Sequence, residues 1–416
     1  MRARRYEFPG VSATELRALA PAPAGIRDTV AEIVEDVRAR GDEAVREWTE
    51  RFDGAEPRRV GAQELSDALE SLDVAVRSGL EVAIDNIRRV ARAELRDSVR
   101  VELPEGQRVD LRELPVSRAG IYAPGGRAAY PSTVLMCAVP AHVAGVEQLV
   151  VVTPGSDLIL GACALAGVSE VHLVGGAQAI AALAYGTRTI EPVDVIVGPG
   201  NAYVQEAKRQ VVGTVGIDGI EGPSELVVIA DDEADPALVA LDLAAQSEHG
   251  PETLLVLVTP SAGLIEAVEE QLAELNGRAS VSDAPVALVH GQSVEAAIDL
   301  ANEIAPEHLE LATVRAEALV PLVRSAGCVF VGRNGGAAFG DYVAGSNHVL
   351  PTGGAARFAG PLGASTFLRR QALVSLPDGA VQRLAPHVGD IARAEGFPVH
   401  GESAEARSAA KPANYS

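Results

Sequence analysis

The stretch Gln148-Leu-Val-Val-Val-Thr153 decides the fold class together with the residues that follow it. A helical pattern runs from Leu158 to Gly167, and a second apolar segment, Glu170-Val-His-Leu-Val174, leads into Gly175-Gly176. Val193–Val197 repeats the pattern. Strands this apolar are typical of parallel sheets that helices cover on both faces. We therefore predict a doubly wound parallel α/β sheet.

The alternation of strands and helices begins again after Gly222-Pro223-Ser224. Strands are predicted at 225–230, 253–259, 285–290 and 328–332, with helices at about 236–249, 261–275, 293–304 and 316–325. Before the first sheet, the chain from Ala24 to about Ser98 shows the apolar periodicity of amphipathic helices. Past Gly360 the pattern weakens, and we expect only short helical turns between Ala380 and Glu395, interrupted at Pro386.

These patterns predict two doubly wound, Rossmann-like α/β domains, a helical amino-terminal segment and an extended carboxyl-terminal tail. The predicted boundaries are an amino-terminal tail at 1–23, one α/β domain at 116–223, a second domain made of 24–115 plus 224–360, and a helical tail at 361–416. The tail has too little apolar content to form a core alone, so we expect it to pack on another subunit.

Composition excludes several classes of function. Of the 416 residues, 47% are hydrophobic, enough for a large core, and the net charge of -22 argues against nucleic acids and anionic membranes. Three scattered cysteines, in apolar surroundings, form neither a disulfide framework nor a CxxC metal site. No apolar run is long enough to cross a membrane, and Met1–Arg5 does not lead into a secretory signal. We expect a cytoplasmic protein.

The stretch Phe339–Thr352 carries the acid Asp341 and the imidazole of His348. Turn formers between them would let both side chains point into one site. Because the stretch follows the apolar run Cys328–Val331, we predict a structured loop at the carboxyl end of a strand, where open α/β sheets bind ligands. The alternative is a glycine-rich surface loop with a chance Asp and a chance His.

Two further segments carry candidate chemistry. Gln246 and His249 are three residues apart near the end of a predicted helix, so they share a face and could form half of a metal site. The alternative is a capping His beside a solvated Gln. Glu307 and His308 follow Pro306 in a constrained turn, which suits general acid–base catalysis. The alternative is an ordinary polar turn.

Three glycine-rich turns lie at predicted strand ends in the 116–223 domain. They are Tyr122-Ala-Pro-Gly-Gly126, Gly175-Gly-Ala-Gln178 and Gly198-Pro-Gly-Asn201. Backbone amides and helix amino termini in such turns can bind a pyrophosphate. The alternative is three plain strand-to-helix turns, because the usual Gly-x-Gly-x-x-Gly is missing.

In this order along the chain, these segments resemble the histidinol dehydrogenase family over residues 25–407. The matching pieces are Ile121-Tyr122-Ala-Pro-Gly-Gly126, Val174-Gly-Gly-Ala-Gln178, Gly198-Pro-Gly-Asn-Ala-Tyr203, Gly222-Pro-Ser-Glu225, Gln246-Ser-Glu-His249, Pro306-Glu-His308, Gly340-Asp-Tyr342, Ser346-Asn-His-Val-Leu-Pro-Thr352 and Glu395-Gly-Phe-Pro-Val-His400.

The resemblance implies a homodimer that oxidises L-histidinol to L-histidine in two NAD-dependent steps, with one Zn²⁺ per subunit. It implies zinc ligands at Gln246, His249, Asp341 and His400, the last reaching into the partner subunit. It implies that Glu307 and His308 are catalytic. It implies that NAD contacts lie in the 116–223 domain, at Tyr122, Gln178 and Asn201. It also implies substrate contacts at Ser132, Ser224, Gln246, His249, His308, Asp341, His348, Glu395 and His400.

One departure concerns the substrate. Many family members carry a Glu four residues before the zinc-binding Asp, and here that position is Ala337. The nearest competing hypothesis is therefore a paralogous zinc- and NAD-dependent dehydrogenase of another polar alcohol, such as a sulfopropanediol. A zinc hydrolase with Glu307 as base and a non-catalytic scaffold are two more distant hypotheses. Neither the hydrolase nor the scaffold explains three glycine-rich turns together with a complete set of catalytic positions.

Overall fold

A computed structural model describes residues 1–20, 25–125 and 129–409. Gly126 of the first glycine-rich turn and the polar end of the tail lie outside these residues. The described residues divide into two compact units. Unit 1 comprises Met1–Glu94 and Val116–Phe367, and unit 2 comprises Leu95–Pro115 and the chain from Leu368 onward.

The strands, in chain order, are β1 (Arg2–Glu7), β2 (Arg58–Arg59), β3 (Val99–Glu102), β4 (Arg108–Pro115), β5 (Arg118–Tyr122), β6 (Gln148–Thr153), β7 (Glu170–Leu173), β8 (Val195–Val197), β9 (Gly216–Ile217), β10 (Glu225–Ala230), β11 (Leu254–Thr259), β12 (Pro285–His290), β13 (His308–Ala312), β14 (Cys328–Val331) and β15 (Leu368–Ser375).

The α-helices are α1 (Ala13–Arg17), α2 (Arg27–Arg40), α3 (Asp42–Asp53), α4 (Ala62–Glu70), α5 (Val74–Glu94), α6 (Pro131–Ala144), α7 (Asp157–Leu165), α8 (Gly176–Tyr185), α9 (Ala202–Val211), α10 (Pro236–Ser247), α11 (Ala262–Leu275), α12 (Val294–Ile304), α13 (Ala316–Leu319), α14 (Ala337–Tyr342), α15 (Asp378–Ala394) and α16 (Pro398–Ala409). Short 3-10 turns lie at Val320–Leu322, Ala355–Arg357 and Ala364–Phe367. Among the described residues, no helix is both long enough and apolar enough to cross a membrane.

Unit 1 contains two six-stranded sheets, which confirms the predicted parallel α/β class. The first sheet has the order β2-β7-β6-β5-β8-β9 and is parallel except for β2. The second sheet has the order β1-β12-β11-β10-β13-β14 and is parallel throughout. In both sheets the strand order reverses beside the first core strand, which is the doubly wound pattern.

The structure groups the amino-terminal residues differently from the prediction. The supposed tail 1–23 contributes β1 to the edge of the second sheet and α1, whose Leu16 lies in that sheet's core. Helices α2 and α3 were predicted to belong to the domain of 24–115 plus 224–360. They pack instead on the first sheet, through side chains such as Val37 and Trp48. Amphipathic periodicity shows that a helix has an apolar face, but it does not show which sheet covers that face.

Unit 2 consists of a three-stranded antiparallel sheet, in the order β15-β4-β3, and the helices α15 and α16. Strand β15 was not predicted, and α15 runs unbroken through Pro386 where an interruption was expected. The side chain of Arg383 ties this helix to the carbonyl oxygen of Glu105 at 2.6 Å. Packing of the two helices against each other, around Ala385 and Gly389, supplies order that the weak pattern did not reveal.

Candidate active site

Glu307 and His308 lie where β13 begins, beside the start of β10. The backbone N–H of Glu225 donates to Glu307 Oε2 at 2.8 Å, and the N–H of Glu307 donates to Glu225 Oε2 at 3.3 Å. All three residues are buried. This reciprocal pairing fixes the acid of the predicted pair in one orientation at the amino edge of the second sheet.

The His308 imidazole lies between two helices. Its Nδ1 is 3.4 Å from Gln246 Nε2 on α10 and 3.2 Å from the carbonyl oxygen of Glu225. Its Nε2 is 3.2 Å from Asp341 Oδ1 on α14. The structure therefore brings together three residues predicted from separate parts of the sequence, Gln246, His308 and Asp341.

The site lies at the amino edge of the second sheet, whereas we predicted the carboxyl end of a strand. The reason is the length of the returning helices. The 12 residues of α10 span about 18 Å, close to the roughly 20 Å of the six-residue β10. Gln246 is thereby carried back to the start of the strand. The predicted loop at 339–352 is also wrong in part, since Asp341 lies on α14.

Burial and charge act in opposite directions on His308. Burial disfavours the imidazolium, but the charge of Glu307 and the hydrogen bond to Asp341 together hold the pKa of His308 well above its ordinary value. Burial also raises the pKa of Asp341, yet His308 and the nearby His348 and His249 leave it lowered. The carboxylate form of Asp341 and the protonated form of His308 therefore stabilise each other.

His348 connects the site to the first sheet. Its Nδ1 is 2.8 Å from the carbonyl oxygen of Asp341, and its Nε2 is 3.1 Å from Thr133 Oγ1 in the first turn of α6. Ser132, a predicted substrate contact, precedes Thr133 and is also buried. Burial lowers the pKa of His348, so its ring is neutral at physiological pH. Ser224, which is also among the predicted substrate contacts, immediately precedes β10.

His249 lies two residues beyond the end of α10, not within the helix as predicted. Its ring is stacked on that of Tyr130, with centroids 6.4 Å apart and planes 6° apart. Among the described residues, no group of three His, Cys, Asp or Glu side chains is arranged to hold a metal ion. Of the four predicted zinc ligands, unit 1 contains three: the imidazole of His249, the carboxylate of Asp341 and the side-chain amide of Gln246.

The predicted NAD residues lie at the carboxyl edge of the first sheet. Tyr122 ends β5, Gln178 lies in the first turn of α8 after β7, and Asn201 lies between β8 and α9. The hydroxyl of Tyr122 accepts from the N–H of Gly176 at 3.2 Å, and burial raises the pKa of Tyr122 to about 12. Gln178 is fully buried, and its Oε1 has no hydrogen-bond partner among the described residues. Asn201 Oδ1 accepts from the N–H groups of Tyr203 and Val204 and so caps α9.

Glu395 and His400 belong to unit 2. Glu395 follows the end of α15 and His400 lies in the first turn of α16. Both line a groove of about 500 Å³, whose other walls are Val388, Ile391, Ala392 and Phe397. The rings of Phe397 and His400 have centroids 5.6 Å apart. The structure shows an acid and an imidazole on one apolar groove, while their role in a site shared between subunits remains a prediction.

The sequence analysis did not single out Arg17, although this residue supports the turn that carries Glu307 and His308. Its Nη1 donates to Glu225 Oε1 at 2.6 Å, and its Nε donates to the carbonyl oxygen of Ile304 at 3.1 Å. The next residue, Ala305, has φ of 50°, an uncommon conformation for a side chain other than Gly. In the sequence, Arg17 is an Arg at the end of a short helix, 208 residues away from Glu225. Nothing in that local pattern indicates that the two side chains meet.

Two doubly wound sheets, with a glycine-rich carboxyl edge on one and a buried acid–imidazole cluster on the other, are typical of α/β enzymes.

Comparison with known proteins narrows this class. Residues 20–408 match the sequence profile of histidinol dehydrogenases. The chain is 44% identical to the histidinol dehydrogenase of Rhodospirillum rubrum, over 92% of each chain, and 46% identical to that of a Synechococcus strain, over 91% of each. The crystal structure of histidinol dehydrogenase from Elizabethkingia anophelis superposes with a TM-score of 0.89, at 31% identity over 98% of each chain. The chain belongs to the histidinol dehydrogenase family, a family of oxidoreductases.

Proposed function

We propose that the protein oxidises L-histidinol through L-histidinaldehyde to L-histidine, the last steps of histidine biosynthesis, with NAD as oxidant. The observation that carries this proposal is the buried His308, which touches Gln246 and Asp341 and lies beside Glu307. A base near the reacting hydroxyl and an acid beside it are what the oxidation of an alcohol and then of an aldehyde hydrate requires. Family membership supplies the substrate.

Zinc fits the donors that unit 1 presents. Gln246, His249 and Asp341 offer an amide oxygen, an imidazole and a carboxylate, a set that suits zinc and tolerates cobalt or manganese. The fourth ligand would be His400. Bound there, the ion would supply a template that orients the imidazole and amine of the substrate. We expect about one zinc per chain by elemental analysis. Full activity of metal-free protein would contradict this.

NAD fits the carboxyl edge of the first sheet, where Tyr122, Gln178 and Asn201 would contact it. The buried and unpartnered Gln178 Oε1 is an acceptor that a ligand can satisfy. Helices α8 and α9 begin at this edge, and helix amino termini favour phosphate groups. The bound nicotinamide would supply the hydride acceptor.

The residues of the chain have separate tasks in this proposal. His308 accepts the hydroxyl proton in each oxidation, and for this its Nε2 must be free of Asp341. An Asp341 that serves as a metal ligand no longer accepts from His308, which removes one of the interactions that raise the pKa of the imidazole. Glu307 orients and deprotonates the water that adds to the aldehyde. Burial of both residues keeps bulk water away from the reactive aldehyde.

The test is a count of NADH formed per L-histidinol consumed, with L-histidine identified as product. Conversion of an alcohol to an acid removes four electrons and NAD accepts two, so the expected ratio is about two. A sulfopropanediol, the alternative substrate suggested by Ala337, should give no NADH under the same conditions. Activity with the sulfonate and none with L-histidinol would overturn the proposal.

We also propose that two subunits form a homodimer with shared sites, since Glu395 and His400 line an open groove on unit 2. A two-fold dimer would build two equivalent sites from such a tail. Inactive His308→Ala and inactive His400→Ala subunits, when mixed, should regain about a quarter of wild-type activity, because about half of the dimers are mixed and each has one intact site. Subunit exchange without recovered activity would show that His400 acts within its own chain.

A further inference from the structure

The elements α10, β13 and α14 carry a second set of neighbouring residues, besides Gln246, His308 and Asp341. On β13, His308 and Glu310 are two apart and so point to the same face. On α10, Asp242 lies one turn before Gln246, and on α14, Ala337 lies one turn before Asp341. The elements that carry Gln246, His308 and Asp341 therefore also present Asp242, Glu310 and Ala337 to one another.

The second set is held together by hydrogen bonds. The backbone N–H of Ala337 donates to Glu310 Oε1 at 2.8 Å, and the carboxyl groups of Glu310 and Asp242 bond to each other. A methyl group on Gly336 would lie 3.3 Å from Asp242 Oδ1, so the start of α14 packs closely on this carboxyl. Glu310 is 2% exposed and lies on an interior strand, so water does not replace these bonds.

Two carboxyl groups can bond only when one of them keeps a proton. Burial, reinforced by the charge of Asp242, raises the pKa of Glu310 to about 8, and burial raises the pKa of Asp242 to about 6. The other charged group facing Glu310 is His308, whose positive charge favours the carboxylate. At neutral pH the pair therefore shares one proton, and Glu310 can donate to Asp242 while it accepts from Ala337.

We propose that Glu310 is a positioning residue, which clamps α10 and α14 to β13 so that Gln246 and Asp341 stay within reach of His308. This inference rests on the proposed function for its kinetic consequence. The hydrogen bond from the N–H of Ala337 to Glu310 Oε1 connects α14 directly to β13.

The test compares two variants. Glu310→Gln can still accept from Ala337 and donate to Asp242, so kcat should stay within about threefold of wild type. Glu310→Leu makes neither bond, and kcat should fall about ten- to a hundredfold, with the KM for NAD unchanged because the first sheet is untouched. If Glu310→Leu does not fold, the double variant Glu310→Leu/Asp242→Asn is used in its place, because it leaves no unpaired buried charge.

Crystal structures of the same variants test the positioning without any assay. In Glu310→Leu, His308 should move out of hydrogen-bond distance of Asp341 or Gln246, whereas in Glu310→Gln the separations of 3.2 Å and 3.4 Å should be kept. Unchanged separations in Glu310→Leu would overturn the inference whatever the substrate proves to be. Equal activity of Glu310→Leu and Glu310→Gln would also overturn it. A wild-type protein inactive on L-histidinol would instead count against the proposed function.

Discussion

The two sheets of unit 1 offer functional edges of opposite character. The carboxyl edge of the first sheet is made of glycine-rich turns and helix amino termini, together with the side chains of Tyr122, Gln178 and Asn201. The amino edge of the second sheet is crowded with buried side chains, among them Glu225, Glu307 and His308. His348 and Thr133 join the two edges.

The difference shows how binding and chemistry place separate demands on one fold. In the proposed function, the first edge would bind the nucleotide largely through backbone N–H groups that every residue carries, so a single side-chain change there should have a limited effect. A side-chain edge depends on specific atoms within about 3 Å of each other, and loss of one leaves others buried without partners. Substitutions should therefore cost more at the second edge than at the first.

Replacement of His308 by Ala should lower kcat about a hundred- to ten-thousandfold, because it removes the proposed general base. Steady-state NADH production measures the loss. The half-buried His290, which contacts Glu7 at 3.1 Å, provides a control outside the site, and His290→Ala should keep wild-type activity. Substantial activity in His308→Ala would place the base elsewhere.

The first edge also contains a fully buried cation, Lys208. Its Nζ is 2.8 Å from Glu221 Oε2, 2.5 Å from Asp218 Oδ1 and 3.0 Å from the carbonyl oxygen of Gly198. Lys208→Met would leave two buried carboxyl groups without a cation, and we expect the free energy of unfolding to fall by about 3–5 kcal/mol. Urea denaturation measures this change.

The control for Lys208 is its neighbour Arg209, whose ion pair with Glu206 is exposed on the cation side. Arg209→Met should cost less than about 1 kcal/mol. Equal effects of the two substitutions would mean that the buried cluster contributes no more than a surface pair, and the first edge would then be held by its backbone alone.

Sequence predicted the parallel sheets well because buried strands such as β6 and β10 carry unbroken apolar runs. It also singled out Glu307, His308 and Asp341, which the structure brings together, while their roles remain a prediction. It did not predict the amino-edge location, since that depends on the matched lengths of α10 and β10. It also missed Arg17 and Glu310, whose partners become neighbours only after folding, and no local pattern distinguishes them from solvated charges.

Arg17→Met tests whether the second edge needs support from the start of the chain. Its guanidinium pairs with Glu225, and the two side chains are 25% and 6% exposed. Because Arg17 is partly solvated, we expect a loss of about 2 kcal/mol in the free energy of unfolding, less than a fully buried pair would give. Arg315→Met, which breaks the exposed pair with Glu295, should cost under about 1 kcal/mol. An Arg17→Met protein as stable as wild type would contradict the supporting role.

The pH dependence of stability tests the buried carboxyl of Glu310. A carboxyl whose pKa is higher in the folded than in the unfolded protein stabilises the folded state at low pH, and this stabilisation is lost as pH rises through the folded pKa. For Glu310 the window runs from about 4.5 to about 8. The free energy of unfolding of wild type should fall more steeply across this window than that of Glu310→Gln, which cannot titrate. Parallel curves from urea denaturation would show that Glu310 keeps an ordinary pKa.

The division of work between the two edges is tested most directly by fluorescence titration of NADH into wild type, His308→Ala and Gln178→Ala. Kd should stay within about twofold of wild type in His308→Ala, although that variant has lost turnover. In Gln178→Ala it should rise about tenfold, the equivalent of one lost hydrogen bond. A His308→Ala protein that no longer binds NADH, or a Gln178→Ala protein with unchanged Kd, would contradict the assignment of the nucleotide to the first sheet and of the chemistry to the second.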